Sequence, residues 1–328
     1  MPTAFAMWYL MSIVYSLLNK QVITVWNFPC VFSVTQLLVG ATWIVLLWAP
    51  MPVRSRSSGE LLRLRTPPEL SGSDQRQLAT VAIFLASGHL LSTVAPAYGT
   101  VAFTNVVKTL EPLFTCFFSA VFLGQVFSPA VYLSLLPVTT GVCLATANEV
   151  SFSAISLVSG LLSNVCFALR AITAKRVMQR PIGKHLGAQN LYGVLTIQSL
   201  LMLLPLSLLV EGRGIVAGTA ATMDAVGGLK FARMLLYTGL SHYLYNECAF
   251  VALSSVHPVT HAVANTIKRV AVIVVSVLYF RNPLTAPGAI GSAIAISGVL
   301  LYSLAKARHE KALAAQVAPA DAEETAEK

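Results

Sequence analysis

Four cations stand inside long apolar runs of this chain: Lys108, Arg170, Lys268 and Arg269. A lysine or arginine at the centre of a membrane helix costs roughly 2.5–3.5 kcal/mol, so Lys108, Lys268 and Arg269 together would cost on the order of 8–10 kcal/mol if unpaired. Such a cluster needs an anion. The acids within the runs are Glu111 and Glu247. Glu111 stands three residues beyond Lys108 and can approach it on a helix, but one carboxylate does not neutralise three cations. A phosphate dianion nearly does: arginine offers a planar fork to its oxygens and lysine a point charge. Lys108, Lys268 and Arg269 are therefore a candidate phosphate clamp, with Glu111 in a gating or structural role. Snorkelling to an interface fits Lys268 and Arg269 poorly, since they lie about eleven residues into their run and precede Val270-Ala-Val-Ile-Val-Val275. Arg170 lies near the end of its run, ahead of Lys175 and Arg176, and suits a gating or structural contact better.

The elements that must position these groups are membrane helices. The 328 residues are 56% hydrophobic and 11% charged, with a mean hydropathy of +0.72. A soluble domain carries about 25% charged residues, so the solvent of this chain is largely lipid. Ten windows are long enough to span a bilayer: 4–24, 28–49, 76–97, 100–123, 128–147, 151–174, 188–210, 231–254, 257–280 and 284–305. The stretch Pro50–Gln75 is expected to be a polar loop, Glu211–Lys230 a second polar connection, and residues 311–328 a polar tail whose Ala-, Glu- and Lys-rich composition suits a frayed helix. Ten spans put both termini on one side, and that side then collects thirteen of the 22 Lys and Arg residues against five on the other. The bias is what the positive-inside rule asks of this count.

Asn105-Val-Val-Lys108 in the fourth span recurs as Asn265-Thr-Ile-Lys268 in the ninth. Each is followed by a β-branched and aromatic run, a break carrying Pro129 or Pro283 and Pro287, and a Gly-containing apolar helix. The expected fold is thus all-α, ten transmembrane helices in two five-helix repeats, 1–147 and 148–310. Five is odd, so the second repeat inserts upside down, the arrangement of carriers with a midplane site between repeats.

Other classes fit less well. The formal charge of +9 lies mostly between apolar runs, so nucleic acid is not an expected partner. Cys30, Cys116, Cys143, Cys166 and Cys248 form no CxxC pair and suggest neither a disulfide framework nor a metal site. Paired carboxylates and GxSxG are lacking, so neither an enzyme nor a cofactor is expected. A channel would need rings of charge. The first span opens at Ala4, so an organelle address either precedes this sequence or lies in that helix.

Val101-Ala-Phe-Thr-Asn-Val-Val-Lys-Thr-Leu-Glu-Pro112 and His257-Pro-Val-Thr-His-Ala-Val-Ala-Asn-Thr-Ile-Lys-Arg269 resemble the fourth- and ninth-helix motifs of the plastidic phosphate translocators. Asn19-Lys20, Ser163-Asn164 through Arg170, and Leu300-Leu-Tyr-Ser303 match the same family in order. The resemblance implies the drug/metabolite transporter fold. It also implies exchange of a phosphorylated metabolite for inorganic phosphate across a plastid envelope or an apicoplast membrane, with the lipid bilayer as the other partner. It assigns Lys108, Lys268 and Arg269 to phosphate, and His89, Ser92 and Tyr245 to the carbon tail; Lys20 and Arg170 would gate or support. His89 leans toward triose phosphate and 3-phosphoglycerate, with phosphoenolpyruvate as a further candidate. Two departures stand near the tail: His242-Tyr243 inverts the usual order, and Glu247 replaces a usual Gln, which implies an atypical or broad pocket. Thr260 and His261 are taken as structural. The competing function is a nucleotide-sugar or other metabolite carrier of the same fold.

Overall fold

The structure, a computed structural model, describes residues 2–54, 61–177, 182–255, 258–281 and 285–326, with side chains over 5–50, 63–177, 182–251, 263–281 and 285–313. Ten rods cross the molecule: α1 Pro2–Val25, α2 Pro29–Trp48, α3 Gly72–Tyr98, α4 Val101–Leu123, α5 Pro129–Ala147, α6 Ala154–Val177, α7 Ala188–Val226, α8 Gly228–Ser255, α9 Pro258–Phe280 and α10 Ala286–Ala326. Among the described residues, eight of them are long and apolar enough to span a membrane. The two others, α1 and α8, are the least suited to lipid because they carry Asn19 and Lys20, and His242 and Glu247. They pack on each other, which turns those groups inward.

The packing has a symmetry of its own. α3 packs on α6 as α8 does on α1; α2 packs on α8 as α7 does on α3; and α2 with α7, and α5 with α10, form self-paired contacts. Adding five to every helix number, counted cyclically, exchanges these pairs. At the α5–α10 contact the backbones nearly touch: a Cβ on Gly141 would lie 2.4 Å from Ala295 N. Small residues allow that approach, and dispersion holds helices together where lipid offers no hydrophobic drive.

Local chemistry sets the interruptions. Pro112 has no N–H for the Lys108 carbonyl, so α4 tightens into a 3₁₀ turn at Lys108–Leu110. Glu111 N–H turns to Lys108 O, which deprives the Val107 carbonyl of its usual partner. Asn164 Nδ2 on α6, fully buried, donates to that carbonyl at 2.9 Å. Gly160 lets α6 come this close, because a Cβ there would meet Val107 Cγ1 at 2.9 Å. Pro137 breaks α5 in the same way, at Ser134.

Two regions differ from expectation. Glu211–Val226 is not a loop: α7 continues through it, and Gly227 with φ 93° makes the turn into α8. Glu211 holds the extension in place by accepting from Cys30 N and Val31 N at 3.1 and 2.9 Å, the free amides at the start of α2. The Pro50–Gln75 stretch contains a two-stranded hairpin, β1 Pro50–Arg54 with β2 Leu61–Arg63. α3 then starts early, behind a capping box of Ser71 and Asp74. α10 runs unbroken past position 310 to Ala326.

Candidate anion site

The kink in α4 lifts Lys108 into a cavity of about 130 Å³ between α1, α3, α4, α8 and α9. Lys108, Lys268, Arg269, Ser92 and Tyr245 all line it, so five of the nominated residues meet in one place from four helices. Each cation is parked differently. Lys108 Nζ donates to Ser92 Oγ. Arg269 Nη2 donates to Glu111 Oε2 at 3.0 Å, while its buried Nη1 has no hydrogen-bond partner. Lys268 Nζ lies 4.6 Å from the ring centre of Trp8 and 6.0 Å from that of Tyr245, cation–π contacts that stabilise a charge without neutralising it. One carboxylate thus faces three cations, and two positive charges remain. A phosphate group carries about −1.5 to −2 at neutral pH, which matches that deficit.

The remaining nominated residues fall outside the cavity wall. His89 is buried on α3, its ring 4.3 Å from that of His242 and its Nε2 without a partner. His242 stands 5.2 Å from Tyr15 and 5.7 Å from Tyr245, so His89 reaches the cavity through a stack of rings. Lys20 donates to Pro96 O and Gly99 O at 2.7 and 2.9 Å, capping the carbonyl end of α3. It lines a wider outer cavity of about 840 Å³ with Thr100, Ser151 and Lys230. Arg170 lies over Phe167 at 5.4 Å and lines an apolar cavity of about 510 Å³ between α3, α6, α7 and α8. The side chains of Thr260, His261 and Pro283 lie outside the described residues, as do those of Arg54, Arg56, Arg180 and Lys328.

Sequence reasoning quoted Asn19 and Lys20 of α1 but missed its Ser12, Tyr15 and Ser16. Ser12, Tyr15, Ser16 and Asn19 line the cavity, and Asn19 Nδ2 donates to Tyr15 Oη at 2.7 Å. Their three- and four-residue spacing in an apolar helix marks one polar face, and that was the available signal. Among the described residues no His/Cys/Asp/Glu group could hold a metal ion.

Comparison with known proteins identifies the family of the chain. The profile of the Triose-phosphate Transporter family matches residues 1–303. A chloroplastic xylulose 5-phosphate/phosphate translocator of Arabidopsis thaliana is 38% identical over 94% of this chain and 70% of its own length. A chloroplastic triose phosphate/phosphate translocator of Spinacia oleracea is 36% identical over 94% and 72%. Phosphoenolpyruvate/phosphate translocator 2 of Arabidopsis thaliana is 35% identical over 92% and 76%.

Proposed function

Because the chain belongs to the Triose-phosphate Transporter family, we propose that it exchanges phosphorylated C3 metabolites for inorganic phosphate across a plastid envelope. Triose phosphate and 3-phosphoglycerate are the leading substrates, with phosphoenolpyruvate third. The observation that carries this reading is the cavity in which three cations face a single carboxylate. Its volume of about 130 Å³ is well under the roughly 300–1,000 Å³ of drug-sized sites. A nucleotide sugar therefore fits it poorly, and a phosphate with a short carbon tail fits well. Names of relatives that include chloroplastic phosphate translocators support the plastid location.

The residues divide the work. Lys108, Lys268 and Arg269 bind the phosphate oxygens. Ser92, Tyr245 and, through its ring stack, His89 face the carbon tail. The halves 1–147 and 148–310 act as inverted repeats that rock about the site, with 311–328 as a dispensable tail. Coupling follows from charge. Sealing the empty cavity shuts away two uncompensated positive charges, which costs several kcal/mol each; a bound phosphate cancels most of it. The ligand thereby drives closure by its differential affinity for the closed state. No proton or sodium site is required. The substrate test is competition of triose phosphate, 3-phosphoglycerate, phosphoenolpyruvate and glucose 6-phosphate against labelled phosphate exchange in proteoliposomes. The three C3 compounds compete and glucose 6-phosphate does not; the reverse order refutes the C3 assignment.

A further inference from the structure

Glu247 is buried on α8, only 7% exposed, and the anion site makes no use of it. Its Oε1 accepts from Arg65 Nη1 at 2.5 Å, with side-chain exposures of 9% and 20%. Arg65 belongs to the segment between α2 and α3, on the side of the two termini. That segment is itself fastened. Arg65 N donates to Leu47 O at 3.0 Å, and Asn190 Nδ2 donates to both Thr66 O and His185 O, at 2.9 and 2.7 Å. Glu69 and Lys184 exchange both backbone bonds at 3.0 Å and add a side-chain contact at 3.6 Å. Residues 65–69, between α2 and α3, and 184–190, leading into α7, are thus stitched into one cover on the termini-side face. One charge pair ties α8, which carries Tyr245 two residues before Glu247, to that cover.

The opposite face differs. There the outer cavity beside Lys20 borders the anion site, since Lys20 bonds the Pro96 carbonyl and Pro96 itself lines the site.

We infer that Arg65–Glu247 is a latch that holds the termini-side mouth shut and breaks once in each exchange cycle. A charge pair suits this task better than an apolar seal. Closed, the two ions compensate each other in a half-dry place; open, water solvates both, so the desolvation cost that closure imposes is returned. The two states then stay close in free energy, as a carrier requires. A glutamine at 247 would keep the shape and lose the charge. The inference rests on the alternating-access reading above, and its test does not depend on transport.

The full chain is prepared with its five cysteines replaced by serine and with Ser16→Cys as a reporter. Ser16 lines the anion cavity. Its labelling by an impermeant maleimide added from the termini side reports opening of that mouth. Glu247→Gln and Arg65→Gln each speed labelling about tenfold, the change expected when a two-state balance loses one charge-assisted contact. Arg65→Gln tests the contact without altering α8, so a folding defect in one variant does not mask the result. Arg65→Glu combined with Glu247→Arg returns the rate toward that of the parent. Unchanged labelling in both single variants overturns the latch. Labelled phosphate exchange, measured on the unsubstituted protein, separately tests the exchange function.

Discussion

Glu111→Gln is predicted to tighten phosphate binding and slow turnover. Glu111 holds Arg269 at 3.0 Å, so an arriving phosphate must take the guanidinium from an existing partner. A hydrogen bond to a charged group is worth about 1.5–3 kcal/mol. The Glu111 side chain is 34% exposed and that of Arg269 13%, and solvent screening at that exposure lowers the net value to about 1 kcal/mol. Removing the competitor should then lower the half-saturating phosphate concentration about fivefold. Release slows in proportion, because the site now holds three cations with no carboxylate of its own. The assay is labelled phosphate exchange in proteoliposomes, with half-saturation and maximal rate read separately and insertion checked by size-exclusion elution. A half-saturation that is unchanged or higher refutes the competition between Glu111 and the substrate.

Replacing Lys108, Lys268 or Arg269 singly by Gln should cut exchange at least about tenfold by losing a charge-assisted bond of about 1.5 kcal/mol or more, with insertion unimpaired; two variants with parental rates would remove them from the clamp. His89→Asn and Tyr245→Phe are expected to weaken triose phosphate and 3-phosphoglycerate several-fold more than inorganic phosphate, and equal losses in a competition assay would make them structural. Asn164→Leu leaves the Val107 carbonyl without its partner in a buried kink, which should cost about 1–3 kcal/mol and show as a lower melting temperature in detergent; an unchanged melting temperature would mean that water or another group satisfies the carbonyl.

The architecture and the charges were legible in the sequence because lipid makes both conspicuous. Ten apolar runs and a buried Lys-Arg pair suit no water-soluble fold. The helix at Glu211–Val226 was not legible, since its polar, Gly- and Thr-containing composition looks like a connection. It is held by contacts distant in sequence: Glu211 on the amides of Cys30 and Val31, and Phe28 beside Gly214 and Gly218. The kink at Lys108 follows from Pro112 by elementary hydrogen-bond accounting, but its partner Asn164 comes from another helix. His89 shows a further limit. The family resemblance assigned it to the carbon tail, and only the rotation of α3, which no local pattern encodes, shows a second imidazole between it and the tyrosines of the cavity.

The central claim is that three cations sharing one carboxylate permit the site to close only when it is loaded. The direct measurement is efflux of labelled phosphate from proteoliposomes, with an ionophore present to remove any membrane potential. Efflux should be fast when phosphate or triose phosphate is supplied outside and should nearly stop in substrate-free buffer, because the empty carrier cannot cross. If efflux into substrate-free buffer is as fast as exchange, the empty cationic site closes freely and the charge-based account of coupling is contradicted.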